Sequence, residues 1–120
     1  MASEAQVFQA TFVLPNGEER TIGVGREEHI WDAANSAGIR LPALCHQGYC
    51  LTCAARLENG GQVDQSDSLV YFPADREAGF VLLCTGKARS DLRVHTHQAK
   101  QMREFRKQNR LIAPYSWTEE

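Results

Sequence analysis

The chain has 120 residues, 42% of them hydrophobic and 23% charged, which suits one compact domain with at most a short appendage and excludes a second independent core. A formal net charge of −2, with no apolar run near the ~20 residues that cross a bilayer, argues against a nucleic-acid binder and against membrane insertion. Residues 1–6 lack the basic and hydrophobic stretches of a secretory signal, so the four cysteines point to metal or redox chemistry in a soluble, intracellular protein rather than to disulfides.

Residues 7–14 place Phe8, Ala10, Phe12 and Leu14 at a period of two, as a half-buried strand requires. Asn16-Gly17 supplies a tight turn, and Ile22 and Val24 resume the alternation, so the first 25 residues read as a β-hairpin. Residues 28–37 put Ile30, Ala33, Ala34 and Ala37 on one helical face, with Gly38 at the C-terminal cap. From Ile39 to Leu44 the periodicity is lost, which suits a loop shaped by a ligand. Residues 54–57 read as a short strand ending at Asn59-Gly60-Gly61, and residues 65–73 as a polar, turn-rich connection. A brief turn is expected near Glu77, then a buried strand over residues 80–84 and another over 91–96, where Leu92 and Val94 alternate. Residues 98–110 form a charged helical stretch.

The cysteines are spaced Cys45-x4-Cys50-x2-Cys53, followed by thirty residues to Cys84. A two-iron, two-sulfur cluster needs a loop that wraps inorganic sulfide, turning thiolates inward and backbone N–H groups towards the sulfurs, where they stabilise the charge added on reduction. Gly48, inside the x4 gap, opens backbone conformations closed to most residues. A fourth ligand from a distant strand couples cluster binding to folding. Zinc sites also use C-x2-C but usually as two separated pairs, and the βαβ context of a thioredoxin-like pair is missing.

The spacing is that of plant-type ferredoxins, and the chain resembles that family at further positions: Leu41-Pro42, Thr52-Cys53-Ala54, Val63-Asp64-Gln65-Ser66-Asp67, the run from Glu77 to Leu82 before Cys84, and Thr96-His97. The resemblance covers about residues 7–98. It implies an α+β, β-grasp fold with a mixed sheet on one main helix, and one [2Fe-2S] cluster per chain held by Cys45, Cys50, Cys53 and Cys84. By the family pattern Cys45 and Cys50 hold the outer iron, which takes the electron, and Cys53 and Cys84 the inner one. The function implied is that of a low-potential, one-electron carrier, near roughly −400 mV, rather than an enzyme. Reductases and photosystem I are its implied partners, a monomer its implied state, and a cyanobacterial cytoplasm or plastid stroma its implied location. The alternative is a regulatory or assembly module whose cluster senses redox state.

The chain departs from the family in three places. Between Cys45 and Cys50 stands His46-Gln47-Gly48-Tyr49, with only the glycine kept, and Leu44 replaces a serine; Tyr49 is expected to be a lid against water. Acidic docking charges are replaced by Phe72-Pro73-Ala74 and Ala99-Lys100, which puts the usual reductase partnership in doubt. Residues 1–98 form the cluster domain, and residues 99–120 a basic extension with Lys100, Arg103, Arg106, Lys107 and Arg110, in which Met102 and Phe105 are spaced to share a helical face. Leu111, Ile112, Tyr115 and Trp117 then make an apolar end around Pro114. This extension either packs on the domain or selects a partner. Trp31 is expected at the core or its rim, and His29, His95 and His97 in structural or surface roles.

Overall fold

The computed structural model describes residues 7–41, 53–58, 61–68 and 71–111. Two strands, β1 (Val7–Val13) and β2 (Glu19–Gly25), form the expected antiparallel hairpin, with Phe12 opposite Arg20 and Ala10 opposite Ile22. Ala10, Phe12 and Val24 are fully buried, while Thr11 and Thr21 on the other face bond to each other through their hydroxyls at 2.8 Å. Alternation in the sequence is thus alternation between core and water.

The hairpin is one end of a five-stranded sheet whose other members are β3 (Ala54–Leu57), β5 (Phe80–Leu82) and β7 (Leu92–His95), in the order β2-β1-β7-β3-β5. β7 runs parallel to β1, and all other neighbours are antiparallel, which is the mixed sheet expected. A separate two-stranded ribbon joins β4 (Val63–Asp64) to β6 (Lys87–Ala88). These two strands have two residues each, too few for a periodicity to show in the sequence.

The main helix, α1 (Ile30–Ser36), buries Ile30, Ala33 and Ala34 against the sheet. It starts two residues later than its periodicity predicts, because His29 is extended and pairs with Lys87 in an isolated bridge. No side chain caps it. Instead the Ile30 and Trp31 N–H groups donate to the carbonyls of Gly86 (2.9 Å) and Leu83 (2.8 Å), so tertiary contact satisfies donors left over by the helix. Gly38, at φ +83°, turns the chain out of the helix.

A second helix, α2 (Pro73–Ala78), occupies the stretch read from sequence as a turn-rich connection with a brief turn. Pro73 opens it, the Asp75 carboxylate accepts the Phe72 N–H at 2.9 Å, and Gly79 closes it at φ +89°. The third, α3 (Ala99–Gln108), is the expected charged helix. Met102, Arg103 and Arg106 are buried, so of the five cations in this stretch only Lys100, Lys107 and Arg110 remain exposed. The apolar end at Ile112, Tyr115 and Trp117 lies outside the described residues.

β3 and β5 carry apolar residues on both faces. Ala55, Val81 and Leu83 belong to the main core with α1, whereas Ala54, Phe80 and Leu82 pack with Met102 and Phe105 of α3. Double coverage explains the unbroken apolar run, since only a strand buried on both sides loses its polar alternation.

Candidate metal centre

Cys53 directly precedes β3 and Cys84 follows β5 by two residues, so pairing of these strands brings together two cysteines thirty-one positions apart in sequence. Both are nearly inaccessible, at 3% and 4% of their full exposure. Their sulfurs lie 2.8 Å apart, beyond the 2.03–2.05 Å of a disulfide. The Cys84 N–H donates to the Cys53 sulfur at 3.3 Å, and the Leu83 N–H to the Cys53 carbonyl at 3.3 Å. Cys45 and Cys50, with His46 and Tyr49 between them and Leu44 before, lie outside the described residues.

The turn bearing Cys84 is held from three sides. Gln65, 5% exposed, accepts the Leu82 N–H at 2.6 Å and donates its amide to the Leu82 carbonyl at 3.2 Å. Its side chain thereby supplies the two bonds that a neighbouring strand would offer to the edge strand β5. The same Leu82 carbonyl accepts the Gly86 N–H at 2.9 Å, which is why the strand expected to reach Cys84 ends at Leu82. A β-carbon at Gly86 would stand 2.8 Å from both Gln65 and Val63 and 2.9 Å from the Leu82 oxygen, so only glycine fits. The N-terminus of α1 forms the second side, and the Ser68 and Thr85 hydroxyls, 2.7 Å apart, the third.

Trp31 sits at the boundary of the two cores and donates its ring N–H to the Leu41 carbonyl at 3.0 Å, the core or rim place expected of it. Tyr71 donates its hydroxyl to the Phe80 carbonyl at 2.5 Å, and burial pushes its pKa up to about 12. The described histidines, His29, His95 and His97, take surface positions. His29 bonds Asp67 at 2.9 Å, His95 bonds Glu58 at 2.7 Å, and His97, at φ +60°, accepts or donates to the Thr96 hydroxyl at 2.7 Å. Hydrogen bonds from His29 and Lys87 hold the Asp67 carboxyl below the usual carboxylate range, and His95 and Arg93 do the same for Glu58.

Two buried thiols converging on one point, with a backbone N–H aimed at one sulfur, are the donor set of a thiolate-bound metal and not of a hydrolytic or phosphate-binding site. The family model for the 2Fe-2S iron-sulfur cluster binding domain matches residues 13–89. This chain is 38% identical over 90 residues to Ferredoxin-2 of a Synechococcus strain, covering 75% of this chain and 85% of that protein. With the chloroplastic Ferredoxin-6 of Zea mays it shares 33% over 103 residues, 85% of this chain and 66% of the relative. The fold recurs in the crystal structure of pectocin M2, with a TM-score of 0.69 and 25% identity over 83% of this chain, which spans only 40% of that protein.

The chain belongs to the 2Fe-2S ferredoxin family. It is an electron-transfer protein rather than an enzyme and carries one [2Fe-2S] cluster, in keeping with its curated relatives in cyanobacteria and chloroplasts. The described cysteines fit that group. When bound, it supplies a centre that takes up and returns a single electron. Among the described residues no helix is long and apolar enough to cross a membrane.

Proposed function

We propose that Cys45, Cys50, Cys53 and Cys84 hold the cluster, with Cys53 and Cys84 on the inner iron, and that residues 1–98 form the carrier proper. The observation that carries this reading is the convergence of the Cys53 and Cys84 sulfurs at 2.8 Å in a dry site. The remaining pair comes from the x4 spacing, which matches the plant-type pattern. Around the inner pair the protein does three things: β3 and β5 fix the separation, Gln65 and α1 fix the turn, and burial excludes water. The Cys84 N–H on the Cys53 sulfur favours the reduced, more negative state.

Electrons pass between this chain and other redox proteins, reductases among them, in a cyanobacterial cytoplasm or plastid stroma. Partner choice differs from that of an acidic-faced ferredoxin, because Phe72 and Pro73 stand where docking charges are expected, and Phe72 stacks on Arg106 at 4.9 Å. The test is anaerobic reconstitution with iron and sulfide, followed by serine substitution at each cysteine. Wild type is expected to hold about two irons and two sulfides with visible absorption. Cys53→Ser and Cys84→Ser should lose both. One tightly bound zinc and a colourless protein would refute the assignment.

A further inference from the structure

The outer core at β3 and β5 is completed from outside the sheet. Ala54, Phe80, Leu82, Cys53 and Cys84 have one face of the sheet among them, and Met102, fully buried, packs against them with Phe105, whose ring centroid lies 5.5 Å from that of Phe80. Apolar contact of this kind is not selective of register, and polar contacts at both ends of α3 supply the selection. At the start, the Gln98 N–H donates to the carbonyl of Ala54, the residue after Cys53, at 3.0 Å. Further along, Arg106 donates Nε to Asp75 Oδ1 at 3.2 Å and Nη2 to Oδ2 at 2.6 Å, with both side chains at 0% exposure.

Asp75 Oδ2 also accepts the Phe72 N–H, and the guanidinium lies over the Phe72 ring. One carboxylate thus ties α3 to the first turn of α2, and α2 leads directly into β5 and Cys84. A bidentate pair with no water around it cannot slip by degrees, because opening it strands two charges in an apolar site. The helix therefore stays docked whole or leaves whole.

We propose that α3 is a clasp on the cluster, with Met102 and Arg106 as positioning residues. Closed, it keeps Cys53 and Cys84 dry and converged. Its undocking, rather than unfolding of the sheet, is the route by which water and chelators reach the inner iron. The proposal rests on Cys53 and Cys84 being ligands.

The test compares release of the cluster from the holoprotein to an iron chelator, followed by visible bleaching, in Arg106→Met, Met102→Ala and a control at the far end of the sheet, Phe12→Ala. All three are compared at matched distance below their own melting temperatures. Release is expected at least about tenfold faster in the two α3 variants than in the control, the change given by ~1.4 kcal/mol. The pair Asp75→Leu with Arg106→Met, which strands no charge, should be slower than Arg106→Met alone but short of wild type, since the Phe72 N–H loses its Asp75 acceptor. Met102→Ala should also raise the midpoint potential, since admitted water stabilises the extra negative charge of the reduced cluster. Equal release rates in α3 variants and control, or an unmoved potential in Met102→Ala, would overturn the clasp. Should Arg106→Met fail to fold, Met102→Ala carries the comparison. Retention of the normal visible spectrum in Cys53→Ser or Cys84→Ser is a different failure, that of the ligand assignment.

Discussion

The two ends of the sheet are built by different rules. At the hairpin end β1 and β2 keep one face in water, where Thr11 pairs with Thr21 and Arg93 reaches Glu19 through two bonds of 2.9 and 2.7 Å. At the cysteine end β3 and β5 are covered on both faces, and the polar groups found there are individually satisfied: Gln65 on Leu82, Tyr71 on Phe80, Arg106 on Asp75. The first end is stabilised by area, which tolerates substitution of one apolar side chain by a similar one. The second is stabilised by area together with directed bonds, so its geometry is singular. A cluster site needs the second kind, because thiolates must be placed and not merely buried.

The sharpest test of this contrast uses two variants of similar cost. Phe12→Ala should lose about 3–5 kcal/mol by leaving a core cavity, and Arg106→Met about 3–5 kcal/mol by leaving Asp75 charged and buried without its counter-ion. Denaturant titration of both should give comparable losses, but replacement of Asp75 by Leu rescues only the second. A rescue that fails would mean that the loss comes from the missing Arg106 contacts and not from a stranded Asp75 charge.

Gln65→Ala comes next. Stripping both bonds from the Leu82 backbone leaves a buried donor without its partner and should cost about 1–3 kcal/mol. The visible circular dichroism of the cluster should change with it, whereas Thr11→Ala on the open face leaves that signal alone. If both variants leave it untouched, the clamp on the Cys84 turn has no bearing on the cluster.

Tyr71→Phe should cost about 1 kcal/mol, one neutral hydrogen bond. Its phenol also gives a pH signature. The folded pKa, about 12, is raised above the ordinary value of about 10, so this contribution is complete below pH ~10 and fades as pH climbs towards 12. Tyrosinate absorbance at alkaline pH is the check.

The smallest effects belong to the exposed ion pairs. Glu19, Glu58 and Asp67 have depressed carboxyl pKa values, by hydrogen bonds from Arg93, His95 and His29 respectively, so their support is present above the ordinary carboxylate value and is lost as pH falls through the lowered one. Melting temperatures of Glu58→Gln and wild type should converge in high salt, because screening removes what such solvated pairs contribute. A large effect that survives salt would place this network on the stabilising side of the comparison, against its exposure.

Legibility in the sequence follows the same division. The hairpin was readable because one wet face imposes a period of two. The turn at Asn16-Gly17 and the cap at Gly38 were readable because glycine marks backbone angles that other residues avoid. At the other end the sequence of α2 reads as a connection, since Phe72 and Asp75 gain meaning only from Arg106, thirty-one residues away from Asp75. Pro73 followed by Asp75 was the one local signal of its start. Gln65 stood in a motif quoted for resemblance, yet nothing in its neighbourhood predicts that its amide replaces a strand.

Residue types and spacing alone determined that this chain makes a hairpin, a main helix and a thiolate site, because local periodicity and ligand intervals are properties of the chain before it folds. Tertiary structure alone decided that Cys53 and Cys84 meet, since β3 must pair with β5 to join them. It also decided that Arg103 and Arg106 turn inward: a helical sequence shows which residues share a face, but which face is covered depends on what the rest of the chain brings to it.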